Sequence, residues 1–165
     1  MMGMINKTDK LDVHGLNRLQ RNGTLPTVWI PPAALRDLRE LTRCRMVMRR
    51  QCTQLKNRVL ALLEKHALAP RGISDLFGRR GRAAMEANAV RLPPQTRWVF
   101  ETHLEQINAL QGQIARQEER VKLLVKVTPA MKRLMTMPGV GLILAATMVL
   151  EIGDIRRFPD ADHLA

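Results

Sequence analysis

Tyrosine is absent from this chain, and rings of any kind are few: two Trp and three Phe. Strand-rich cores and base-stacking platforms draw on more aromatics than that, which argues against an all-β domain. There are two cysteines, Cys44 and Cys52. Eight positions along one helix separate them by about 12 Å of rise, too far for a disulfide. No metal-ligand spacing surrounds them, so they read as buried thiols in a reducing compartment. No secretory leader is visible, and no apolar run approaches the roughly 18 residues of a membrane span. The longest, Leu142 to Leu150, is about half that length. These absences point to a soluble, cytoplasmic protein without a membrane partner. Serine occurs once, at Ser74.

What is present is positive charge, +12 over 165 residues, and it is unevenly placed. Residues 1–68 hold 13 Lys/Arg against 5 Asp/Glu, while residues 128–165 hold four of each. A surplus gathered in one half fits a polyanionic partner, most simply nucleic acid. Leu, Met, Ala, Arg, Glu and Gln dominate the composition, and these favour helix.

Helical signals run the length of the chain. Thr8 and Asp9 open a short helix that Asn22-Gly23 stops. Leu25 to Ile30 is a short extended stretch fenced by Pro26 and Pro31. A long helix follows from Pro32 to Leu68, with proline in its first turn. Its seam is Leu38, Leu41, Cys44, Met48, Cys52, Leu55, Val59, Leu62 and His66, at steps of three and four. His66 on that seam reads as a capping or core residue. Residues 69–95 form a turn-rich linker with one short helix near Arg82–Val90. A second long helix, Thr96 to Val127, carries Phe100, Leu104, Ile107, Leu110 or Gln111, Ile114, Val121 and Leu124. Glu118 interrupts this stripe. Two long helices with matching seams suggest an antiparallel hairpin or coiled coil, within one chain or across a dimer. Thr128-Pro129 restarts a helix that ends at Met137-Pro138. Another spans Leu142 to Ile152, and Pro159 opens a last one that the sequence leaves in mid-pattern, as a truncated chain would.

Three features could carry chemistry. Met137-Pro138-Gly139-Val140-Gly141, between two apolar helices, has the character of a helix-hairpin-helix turn. Gly139, Val140 and Gly141 would offer backbone N–H groups to a phosphate; the bland alternative is a tight turn with no ligand. Asp9 and Asp12 share a face at a helix start and could hold Mg²⁺. On spacing alone, however, they read first as capping residues that complement the helix dipole. The long basic helix presents Arg36, Arg39, Arg43, Arg45, Arg49, Arg50, Lys56 and Arg58. Arg39, Arg43 and Arg50 fall along one side as a cationic ridge, with few acids nearby to pair with them. A solvated flank is the alternative for that ridge.

Taken in order, these pieces resemble the DEDD transposases of insertion sequences, the IS one-ten, one-sixteen and nine-oh-two class. The matching residues are Lys7-Thr8-Asp9-Lys10-Leu11-Asp12, His14-Gly15-Leu16, Gly23-Thr24-Leu25-Pro26, Val28-Trp29-Ile30-Pro31, Leu35-Arg36-Asp37-Leu38 and Leu55-Lys56-Asn57-Arg58. Met137 to Gly141 and Glu151-Ile152-Gly153-Asp154-Ile155-Arg156-Arg157-Phe158 complete the series. The resemblance implies the end of a RuvC-like nuclease domain in residues 1–30, a coiled-coil region in 31–127 and the start of a C-terminal transposase domain in 128–165. It implies an all-α chain apart from the nuclease remnant. It also implies Asp9 and Asp12 as the last two of four Mg²⁺-binding acids, with DNA and a structured element-encoded RNA as partners and homo-oligomers formed through the coiled coil. The first two acids and the nucleophilic serine have no match here, so the expectation is a transposase fragment inactive in strand transfer alone. The other expectation is a non-catalytic nucleic-acid-binding coiled coil that oligomerises or interferes with intact transposase.

Overall fold

The computed structural model describes residues 9–25 and 28–164 and, for Lys10 and Leu11, the backbone alone. Thr8, Lys7 and Pro26, to which the sequence assigns helix-start, motif and flanking roles, lie outside the described residues. The chain divides into two units, residues 1–31 and 32–165.

The first unit contains α1, Asp9–Arg21. Its end is built as the Asn22-Gly23 signal requires. Gly23 takes φ +68°, the N–H of Thr24 returns to the Leu19 carbonyl at 3.0 Å, and that of Gly23 to Gln20 at 3.1 Å. These are the two bonds of a left-handed helix stop. Val13 and Leu16 on α1 are exposed. Residues 28–30 have no regular structure, and among the described residues there is no strand.

The second unit is built on two long helices, α2 (Ala33–Lys65) and α4 (Pro94–Leu124), about 50 and 46 Å long. They pack along each other antiparallel: Arg45, early in α2, meets Glu118, late in α4, while Val59 and Leu63 share a core with Phe100 and Leu104. The α4 stripe is buried at Phe100, Leu104, Ile107, Ile114 and Val121 and partly buried at Leu110, whereas Leu124, expected to end it, is exposed. Each such side chain contributes about 1.5–3 kcal/mol when fully buried. Glu118 is not a gap in that stripe. Arg45 Nε and Nη2 both lie 2.7 Å from its Oε1. Arg45, not Cys44, therefore occupies the seam at this level. The expectation of two buried thiols is corrected accordingly: Cys52 is buried and Cys44 is exposed.

α2 ends without a glycine. Ala67 takes φ +55° at the position after the cap, and the N–H of Leu68 bonds to the Leu63 carbonyl at 2.8 Å. His66 is the half-buried capping residue there. Residues 69–95 are more than a linker. The Asp75 carboxylate accepts from the N–H groups of Phe77 and Gly78, both at 3.0 Å, and α3 (Arg79–Ala89) starts there. Met85, Ala89 and Leu92 then join the hairpin core, and the Asn88 amide donates to the Leu68 carbonyl at 2.8 Å. The short helix expected near Arg82–Val90 is α3, and the apolar residues of this segment close one end of the hairpin.

At the other end sit α5 (Pro129–Leu134) and α6 (Leu142–Ile152). Thr128 caps α5 by accepting from the Met131 N–H at 3.2 Å. Met131, Ala145, Ala146 and Val121 form a second core, with Leu41 and Val140 packed against it. The fully buried Ala145 and Ala146 leave room for close helix approach. No helix starts at Pro159. Residues 155–157 make a single 3-10 turn, and Asp160 accepts from the His163 N–H in a local turn. Such a short stretch does not repay helix nucleation. No helix among the described residues is long and apolar enough to cross a membrane.

Candidate nucleic-acid interface

The basic face of α2 is divided by what packs on it. Arg39 does not stand on an exposed ridge; it is 7% exposed. Its Nε donates to the Leu150 carbonyl at 2.7 Å and its Nη2 to the Glu151 carbonyl at 2.8 Å. These carbonyls belong to the last turn of α6, where the helix runs out of its own donors and its dipole is negative. The buried guanidinium thus caps α6 from α2, and this corrects the reading of Arg39 as a solvent-facing cation. One turn on, Arg43 grips the Glu151 side chain through both carboxylate oxygens, at 2.7 and 2.8 Å. Arg43 remains half exposed.

Arg36, Arg49, Arg50 and Arg58 are exposed. None of the four makes an ion pair among the described residues. Arg58 rims an open groove between α2 and α4, beside Gln54 and Gln106. Lys56 lies over the Phe77 ring, 4.9 Å from its centroid, so its stem and charge serve the packing of the α3 approach. Seven-residue steps return to within about 20° of one azimuth on an α-helix. Arg36, Arg43 and Arg50 therefore form the outer row, where the sequence reading had put Arg39 in place of Arg36.

The glycine turn before α6 has the expected backbone. Gly139 takes φ +84°, and Gly141 is the N-terminal cap residue of α6, without a side-chain cap. Val140 turns its side chain into the second core and spends its N–H on the Met137 carbonyl at 3.1 Å. It supports the turn rather than presenting a donor. Asp9 and Asp12 are exposed in the first turn of α1. Among the described residues no three His, Cys, Asp or Glu side chains come together to hold a metal. Two carboxylates on one exposed turn do not fit the oxygen set that Mg²⁺ demands, least of all in a two-metal site. Ser74 is exposed in the loop before α3.

Glu151 was quoted in the sequence as part of a motif, but its task was not legible there. Its partners on α2 lie 108 and 112 residues away, beyond any local spacing rule. The hydrogen bonds from Arg43 hold its carboxyl below the ordinary value of 4.5, against a smaller opposing effect of burial, with the charges of Arg43 and Arg39 adding to the lowering. Beyond α6, Arg156 hydrogen-bonds Asp154 and holds its carboxyl down to about 2.

A carboxyl depressed in the folded state stabilises that state above its unfolded pKa, and the contribution is lost as pH falls through the folded value. Acidification below about pH 4.5 should therefore weaken the Glu151–Arg43 contact and increase local opening at the last turn of α6, while Arg39 still holds the Leu150 and Glu151 carbonyls on α2. Amide exchange at Leu150 and Glu151, followed from pH 6 to pH 3, checks this. Glu151→Gln should remove most of the acid-induced change, and an identical pH profile in that variant would refute it.

Comparison with known proteins places this geometry. A family model described as "Transposase IS116/IS110/IS902 family" matches residues 131–165, and a DEDD model described as "Transposase" matches residues 3–67. The chain is 23% identical over 160 residues to the transposase for insertion sequence element IS1111A of Coxiella burnetii. That match covers 97% of this chain and 44% of the relative. It is 26% identical over 163 residues to a probable family 20 transposase of Pseudomonas aeruginosa, covering 92% and 46%. The chain thus spans less than half the length of these curated relatives. No solved structure matches.

Proposed function

Because this chain belongs to the IS116/IS110/IS902 transposase family, we propose that it acts in DNA transposition as a nucleic-acid-binding part of the machinery, holding phosphate backbones on the outer face of α2. The observation that carries this is the set of exposed arginines Arg36, Arg49, Arg50 and Arg58, without an ion pair among the described residues, on one helix of a chain with net charge +12. A solvated flank needs no such excess, whereas a polyanion repays it by counterion release. DNA and an element-encoded RNA are the partners on this reading, with self-association through the α2–α4 pair. The turn at Gly139 and Gly141 is a further, sequence-independent phosphate contact.

Asp9 and Asp12 stand, in the same proposal, as the last two acids of the family's set of four. Residues 1–30 then belong to a RuvC-like domain, 31–127 to a coiled-coil region and 128–165 to the C-terminal transposase domain. Two acids and no matched serine do not suffice for strand transfer, so recombination by this chain unaided is not expected. The test is a titration of labelled duplex DNA at 50 and 200 mM salt. Four phosphate contacts predict an affinity loss of roughly a hundredfold between the two. Absence of binding at 50 mM salt would remove the proposal.

A further inference from the structure

The outer row of α2 is interrupted in the middle. Arg36 and Arg50 are exposed and make no ion pair among the described residues, and between them, about 10 Å from each along the axis, Arg43 is held bidentate by Glu151 from α6. A carboxylate gripping a guanidinium fork presents the same two-oxygen face as a phosphate. We propose that Glu151 is a built-in competitor for the nucleic-acid backbone, occupying Arg43 until a phosphate displaces it. This rests on the reading of α2 as the nucleic-acid face.

The geometry supports exchange at this point and nowhere else in the clamp. The Arg43 side chain is 49% exposed and that of Glu151 is 32% exposed, so a phosphate oxygen can approach while the pair is still made. The pair is therefore screened and weak, as exposed ion pairs are. Arg39 is different: its hydrogen bonds go to main-chain carbonyls, which a phosphate cannot replace, and its Nε lies a longer 3.8 Å from Glu151 Oε2. Loss of the Arg43–Glu151 pair would thus leave the Glu151 carboxylate with only the longer Arg39 contact, while Arg39 keeps α6 seated on α2 through the main-chain carbonyls. The charged groups facing Glu151 are Arg39 and Arg43, both from α2, and Glu40 adds its own charge beside Arg43. A backbone laid along Arg36, Arg43 and Arg50 would release a carboxylate as it binds. Occupancy of α2 would then be signalled to the segment that follows α6.

The test uses the full chain with two probes, a 30-base-pair DNA duplex and an RNA hairpin, at one fixed salt concentration. Glu151→Gln should bind about three- to fivefold more tightly than the parent, the worth of an exposed pair no longer to be broken. In the Arg43→Ala background the same substitution should change nothing. Glu105→Gln, an exposed acid on α4, controls for net charge and should fall well short of that gain. Melting curves of all variants verify folding. Equal affinities for parent and Glu151→Gln, or the same gain with Arg43 absent, would overturn the proposal even if α2 binds nucleic acid. If neither parent nor variant binds, the parent reading fails with it. A gain confined to one probe assigns the backbone to DNA or to RNA.

Discussion

Replacing Arg39 with methionine should cost about 3 kcal/mol, because the Leu150 and Glu151 carbonyls lose their donors in a buried place. For a chain of this size that is a fall in melting temperature of about 6–12 °C. Arg36→Met, three residues away on the exposed side, should stay within about 0.5 kcal/mol of the parent. The two substitutions should divide the other way in binding: Arg36→Met loses a phosphate contact, and Arg39→Met at a temperature where it is folded does not. Arg39→Lys should recover little, since one ammonium does not reproduce a fork that reaches two carbonyls at once. Denaturant melts and amide exchange at the end of α6 measure this. A cost below 1 kcal/mol would mean that the guanidinium is not what seats α6.

The second large effect concerns glycine. In the interior of a helix, glycine-to-alanine normally stabilises by somewhat under 1 kcal/mol. At Gly81 the sign should reverse. A Cβ there would stand 2.4 Å from the Asp75 carbonyl oxygen and from Leu76 Cα, both main-chain atoms that cannot swing aside. Gly81→Ala should therefore cost about 3 kcal/mol and unseat α3 with its buried Met85 and Ala89. Gly112→Ala in α4 is the matched control. Its Cβ would meet nothing closer than the flexible end of Arg116 at 3.8 Å, so the ordinary gain of about 0.8 kcal/mol should appear. Thermal melts of the two variants decide the matter, and a stabilised Gly81→Ala would show that α3 is not held as described.

The contrast between these positions explains what could be read in advance. The α4 stripe was legible because burial against a single long neighbour imposes one period on the sequence. The stop at Gly23 and the turn at Gly139 were legible because positive φ selects glycine, whereas α5 ends at Leu134, short of the expected Met137-Pro138. Glu118 looked like a break in the stripe because its partner, Arg45, is 73 residues away. Arg39 and Arg36 are the same residue type three positions apart. Only the landing of α6 on α2, a contact between distant parts of the chain, makes one a buried cap and the other a surface cation. In residues 69–95 the short helix was legible, as α3, but the close approach of main chain to main chain that Gly81 permits was not, since its neighbours Asp75 and Leu76 are placed by the loop before the helix. Charge thus pointed to α2 as the candidate interface, and which of its arginines stay exposed is set by tertiary contacts that spacing does not reveal.

The most direct measurement is the salt dependence of DNA binding by the Arg36→Gln/Arg50→Gln variant, set against the parent chain. If the outer row of α2 meets phosphates, the plot of log affinity against log salt should become shallower by about two, with the melting temperature unchanged. An unchanged slope would place the polyanion elsewhere on the molecule and contradict the account.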